Sequence, residues 1–152
     1  MPISIFSTTG RLEKGRSMGL GTGPSFSKPK LQAIVRGDDI AIVTILESRI
    51  LDEANIHAIG KELTDLVTKR YMIKMIVDLT EVQYLSSAVL RVFIALYKQI
   101  KAENGDLKLC CVRPSIREVF KVTQLDKMIP ILETQEAAVN DFKKKSWGFL
   151  KR

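Results

Sequence analysis

The residues best placed to do chemistry are two adjacent hydroxyls, Ser86 and Ser87, within Val77-Asp78-Leu79-Thr80-Glu81-Val82-Gln83-Tyr84-Leu85-Ser86-Ser87-Ala88-Val89-Leu90. A run that is apolar except for Lys74, Met72–Val77, precedes them and reads as a strand covered on both faces. A long amphipathic helical pattern follows, from about Ser87 to Glu103, with Asn104-Gly105 as its stop. The polar loop between strand and helix delivers the serines to the first helical turn, where backbone N–H groups lack intrahelical partners. A hydroxyl there has two uses. It caps the helix, worth about 1 kcal/mol, or it stands proud as an acceptor for a phosphoryl group, whose charge a helix N-terminus favours.

Other chemistries lack their parts. The chain has one histidine, His57, flanking the apolar stripe of a predicted helix, where a surface or packing role is expected. Cys110 and Cys111 are adjacent on a predicted strand, so their side chains are expected on opposite faces, as buried reduced thiols. Two neighbouring cysteines and one distant histidine give no zinc-type spacing. Asp38-Asp39 reads as a turn, and Asp78, ending a strand, is expected to satisfy loop N–H groups. The glycine-rich run Gly19–Gly23 follows no strand, and Pro24 would interrupt a helix, so it reads as linker and not as a phosphate loop. No enzyme, cofactor, metal or small-molecule substrate is expected.

The elements that position the serines fit one domain of ordinary length. The chain has 152 residues and a formal net charge of +7, but the charge is unevenly spread. Residues 1–30 carry five basic residues and one acid, and residues 143–152 five basic residues and no acid, whereas residues 31–142 carry 14 basic and 16 acidic residues. Basicity thus belongs to the ends, and a nucleic-acid-binding face on the domain is not expected. Residues 1–30, rich in Gly, Ser, Thr and Pro, read as a flexible basic arm, 31–142 as the domain, and 143–152 as a basic tail. No apolar run approaches the ~20 residues of a membrane span, and no secretory leader pattern opens the chain, which places it in the cytoplasm.

Within the domain, residues 31–36 and 40–46 read as strands joined by a hairpin turn at Gly37-Asp38-Asp39. Asp52 suits the N-cap of a helix in which Ile56, Ile59, Leu63, Leu66 and Val67 recur at helical spacing through about Arg70. Beyond the Ser87 helix, Leu107–Val112 reads as a buried strand. Pro114 opens a third helix, with Ser115 and Glu118 spaced as a capping box. Ile129–Leu132 is a short strand, and a last helix starts near Glu136. The order β-β-α-β-α-β-α-β-α predicts an α/β domain, a mixed sheet of about five strands with about four interleaved helices.

The Ser87 helix is apolar over an arc of roughly 200°, wider than the roughly 100° stripe that lies on one sheet. Val92, Leu96, Val89, Ile100, Phe93, Tyr97, Leu90 and Ile94 fall within that arc. The surplus packs on a neighbouring helix or offers a partner an apolar edge at the first turn.

This order of elements, with the Val77–Leu90 motif, resembles the STAS domain of bacterial anti-sigma factor antagonists, over about residues 31–142. The family pattern is an aspartate ending a strand, an aromatic-apolar pair, then Asp-Ser-Ser-Gly-Leu opening a helix. Ile50-Leu51-Asp52-Glu53-Ala54-Asn55 is similar to the family's Leu-Asp loop before its first helix. The resemblance implies a STAS fold and a partner that is both serine kinase and anti-sigma factor, with ATP belonging to that partner. It implies phosphorylation of the first serine of the pair. Position by position, Ser87 is the acceptor, Ser86 stands for the family's aspartate, Ala88 for its second serine and Val89 for its glycine. Ser86 is the alternative acceptor, with Ser87 then the cap. The implied partner surface comprises Asp52, Ser86, Ser87, Ala88, Val89, Leu90 and Arg91, with Val89 and Leu90 as an apolar edge beside the hydroxyl. A second copy of the domain is a further candidate partner. Two other readings stay open: an unphosphorylated scaffold component of a larger signalling assembly, and a peripheral binder of a membrane or nucleic acid through the basic ends.

Overall fold

Strand-forming apolar runs pair here into one mixed sheet, and helices cover both of its faces. The computed structural model describes residues 4–7, 30–36 and 39–151, with backbone alone at 4–7 and 145–151. In chain order the strands are β1 (Ser4–Ser7), β2 (Leu31–Val35), β3 (Ala41–Ile45), β4 (Arg49–Ile50), β5 (Lys74–Asp78), β6 (Tyr84–Leu85), β7 (Asp106–Cys110) and β8 (Ile131–Leu132). The helices are α1 (Glu53–Arg70), α2 (Ser87–Ala102), α3 (Pro114–Val122), α4 (Leu125–Met128) and α5 (Gln135–Lys151). The main sheet has the order β1-β2-β3-β5-β7-β8, and β4 and β6 form a separate two-stranded pair. β1, β2 and β3 run antiparallel, while β3, β5, β7 and β8 are parallel neighbours. The five expected strands are present as β2, β3, β5, β7 and β8.

Two expectations about the ends change. Within the predicted N-terminal arm, Ser4–Ser7 adds an edge strand, registered from Ser4↔Val35 to Ser7↔Gln32. Ile5 and Phe6 favour extended backbone, and the edge of β2 otherwise presents unpaired N–H and C=O groups. Residues 8–29, with the glycine-rich run, lie outside the described residues. At the other end, α5 continues through Lys151, so 143–151 extends a helix instead of forming a separate tail.

Alternation along the strands divides the core. Leu31, Ala33, Val43, Met75, Val77, Leu107 and Leu109 are buried in one cluster with the inward residues of α1, α2 and α3. On α1 these are Ile56, Ile59, Leu63, Leu66 and Val67, the five positions marked by helical spacing. The wide apolar arc of α2 is spent largely on packing: Val89, Leu90, Phe93, Leu96 and Ile100 are buried, and Val92 lies 3.5 Å from the position a β-carbon on Gly60 of α1 would take. The other sheet face packs Ile40, Ile42, Ile76 and Cys110 against Ala138, Val139 and Phe142 of α5. Lys108 is fully buried on this face, its Nζ 2.8 Å from an oxygen of Asp141 and 4.7 Å from the centre of the Phe142 ring.

The predicted capping box at Ser115 and Glu118 is not formed. The N-cap is Arg113, whose carbonyl accepts from Ile116 and Arg117 N–H, and Pro114 takes the first helical position, where its fixed φ suits the turn. Ser115 therefore sits inside the helix.

Candidate functional site

The serine pair is positioned by a two-residue ribbon too short to carry a periodic signal. β4 and β6 run parallel, with Arg49 opposite Tyr84 and Ile50 opposite Leu85. Gln83 and Tyr84 both donate backbone N–H bonds to Ser48 O, at 2.8 and 3.0 Å, and Ser86 N–H donates to Ile50 O at 3.1 Å. α1 starts just after β4 and α2 just after β6, so the ribbon sets two helix N-termini side by side. At the first, Asp52 is the N-cap expected from the sequence, its Oδ2 accepting from Asn55 N–H at 3.3 Å.

At the second, the serines part company. Ser86 is the N-cap residue in extended conformation, but its hydroxyl caps nothing. The Oγ is buried and has no hydrogen-bond partner among the described residues. Ser87, the first helical residue, is exposed. Among the described residues, α2 has no acidic group in its first turn and no side-chain cap.

The expected partner surface is partly redrawn. Asp52, Ser87 and Arg91 are exposed and Ala88 is half-buried. Val89 and Leu90 are not an exposed edge: at 1% and 6% exposure they point into the core, because the same helical arc that carries them also meets the sheet and α1. The exposed apolar groups at this end of the sheet are Leu46, Leu51 and Tyr84, the last at 53%, with the Arg49 guanidinium 4.9 Å from the Tyr84 ring centre. Leu51 and Tyr84 lie inside the quoted motifs, yet a strand of two residues gives no alternation from which their exposure could be read. His57 is exposed on α1.

A second cluster lies at the carboxyl ends of β5 and β7, where Asp78 and Cys110 are register partners. Asp78 is buried. Its Oδ1 accepts from the Thr80 N–H at 2.8 Å and from the Thr80 hydroxyl, and its Oδ2 accepts from the Gln135 amide at the start of α5. The expected satisfaction of loop N–H groups is met by Thr80. The two thiols are not on opposite faces as the strand pattern predicted. β7 ends at Cys110, and Cys111 takes a left-handed backbone with φ 59° that turns its side chain back beside its neighbour. Burial first, then the Asp78 carboxylate, pushes the Cys110 thiol far above the usual thiol range.

No helix among the described residues is long and apolar enough to cross a membrane. The side chains of 145–151 lie outside the described residues, and with them most of the basic end proposed for anionic surfaces.

The profile described as "STAS domain" matches residues 32–138. BtrV, a provisionally named anti-sigma factor antagonist of Bordetella bronchiseptica, is 34% identical over 94 residues, which are 62% of this chain and 80% of that protein. Among solved structures, a provisionally named anti-sigma factor antagonist of Thermotoga maritima superposes with a TM-score of 0.64 at 23% identity, over 72% of this chain and 91% of that one. The Bacillus cell fate determinant SpoIIAA, solved in its phosphorylated form, gives a TM-score of 0.57 at 13% identity, over 74% of this chain and 98% of that one.

Proposed function

This chain belongs to the STAS domain family, as an anti-sigma factor antagonist-like member, and from that premise we propose that it releases or restrains a partner according to whether Ser87 is phosphorylated. The partner in this reading is a protein serine kinase that also holds a sigma factor, and ATP is bound there. The observation that carries the choice of Ser87 is the contrast within the pair: its residue is exposed, whereas the Ser86 hydroxyl is buried. The fold likeness to SpoIIAA, a protein that exists in a phosphorylated form, supports the reading.

The switch follows from charge. Unmodified, the segments that adjoin Ser87 expose Leu51 and Tyr84 together with the cations Arg49 and Arg91 and the acid Asp52. A phosphoryl group brings about −1.5 to −2 charges to Ser87. The N-terminus of α2 accepts that charge, so the domain stays folded, while an apolar or acidic partner surface is repelled.

The test is to incubate the full chain with each candidate serine kinase of its genome and ATP, and to map phosphate by mass spectrometry. Phosphate is expected on Ser87, retained in Ser86→Ala and absent in Ser87→Ala, and the phosphorylated chain should no longer co-elute with the kinase. Phosphate confined to Ser86, or a complex that survives full modification of Ser87, would refute the assignment.

A further inference from the structure

The cluster at the ends of β5 and β7 serves no part of the proposed switch, and its composition is that of a metal site. We propose that Asp78, Cys110 and Cys111 bind a thiophilic divalent cation of the Zn²⁺ class.

The first support is convergence. One carboxylate oxygen and both sulfurs all lie within 4.8 Å of one another. Zinc bonds of ~2.3 Å to sulfur and ~2.0–2.2 Å to oxygen set tetrahedral ligand atoms roughly 3.5–4 Å apart, so a small closure brings the three to bonding distance. Three protein ligands leave a fourth position for water or an exogenous group, the pattern of an open site. The left-handed backbone at Cys111 makes this convergence, since a regular strand would send the two thiols to opposite faces.

The second is the surroundings of Asp78. Metal-binding carboxylates are themselves held by outer hydrogen bonds, and here Thr80 fixes one oxygen while Gln135 holds the other. Cys110 and Asp78 are buried while Cys111 is half-buried, which gives the ion an entry from the Cys111 side. A bound ion would join the ends of two strands to each other and, through Gln135, to the start of α5. None of this depends on Ser87.

The experiment uses the full chain, reduced with a phosphine and stripped with a chelator. Cobalt(II) titration should produce a sulfur-to-metal charge-transfer band that saturates at one ion per chain and is abolished by Zn²⁺. Zinc addition in weak buffer near neutral pH should release about two protons per ion, one from each thiol. Cys111→Ser should halve both the band and the proton release. Gln135→Ala, which leaves all three ligands, should weaken zinc affinity ~10- to 100-fold. Zinc should also slow alkylation of Cys111 in the unmutated chain, a readout that needs no variant to fold. The absence of a charge-transfer band, or zinc binding undiminished in the Cys110→Ser/Cys111→Ser chain, would overturn the proposal.

Discussion

Replacing Ser86 with alanine separates the two roles a serine can play at the start of α2, because they predict opposite signs. A serine that caps a helix loses about 1 kcal/mol of stability on truncation to alanine. Ser86 occupies the N-cap position but makes no cap bond, and its hydroxyl is buried without a partner among the described residues. A buried hydroxyl left unpaired costs about 1–3 kcal/mol, and alanine removes that cost while keeping the β-carbon in place. Ser86→Ala is therefore expected to stabilise the domain by about 1 kcal/mol, which for a protein of this size raises the melting temperature by about 4 °C. Urea unfolding of the full chain, followed by far-UV circular dichroism, reads the difference directly, since the midpoint moves while the slope stays constant. Ser87→Ala is the control: the residue is exposed, so its change should stay within about 0.5 kcal/mol. A loss of about 1 kcal/mol in Ser86→Ala would mean that the hydroxyl caps α2 after all, and the argument that leaves Ser87 as the accessible hydroxyl would fail with it.

Two glycines give opposite outcomes for the same substitution. Gly60→Ala places a methyl 3.5 Å from Val92 in open helix–helix contact and should stabilise α1 by about 1 kcal/mol, whereas Gly105→Ala drives a β-carbon to 2.1 Å from Ile73 O and should cost about 3 kcal/mol or more. Equal effects in thermal melts would contradict this packing. At the buried cation, Asp141→Ala removes the nearer of two carboxylates around Lys108, leaving Asp106 at 3.5 Å, and should cost about 2 kcal/mol, while Lys108→Met fills the same space without a charge and should cost less than about 1.5 kcal/mol. A reversed order in denaturant unfolding would show that the ammonium draws its stability from elsewhere.

Legibility in the sequence tracked the length of the repeating signal. α1 and α2 each repeat an apolar period over several turns, and the five inward residues of α1 could be named outright. Helix stops were legible in place but not in mechanism. At Asn104-Gly105 the left-handed residue is Asn104, with φ 67°, and glycine is required next to it because the Ile73 backbone passes so close. Short-range signals misled where a long-range contact decides. The Cys110–Cys111 pair followed strand alternation only while the strand lasted, and the Ser115 capping box gave way to Pro114 at the first helical position. The β4–β6 ribbon has two residues per strand, so its pairing, and the exposure of Leu51 and Tyr84 that follows from it, comes only from the folded arrangement. The serine motif was legible because it joins a buried strand to an amphipathic helix. Which serine faces outward was not, since one residue of helical phase decides it.

The departures from the family pattern at this motif acquire a physical sense once the side chains are placed. On the motif resemblance Val89 takes the place of the family's glycine, and it is buried at 1% exposure, so its bulk is taken up by the core. On the same resemblance Ser86 takes the place of the family's aspartate, a position that carries no acid here. That terminus is consequently bare: no acid in its first turn and no side-chain cap among the described residues. The positive dipole end of a helix is a feature that binds phosphate. In the proposed switch, a phosphoryl group on Ser87 would meet a helix end that nothing else has neutralised, with Arg91 one turn further along the same helix. The charge that breaks the partner's grip is then also the charge the helix lacks, so modification can alter binding without a cost to the fold that carries it.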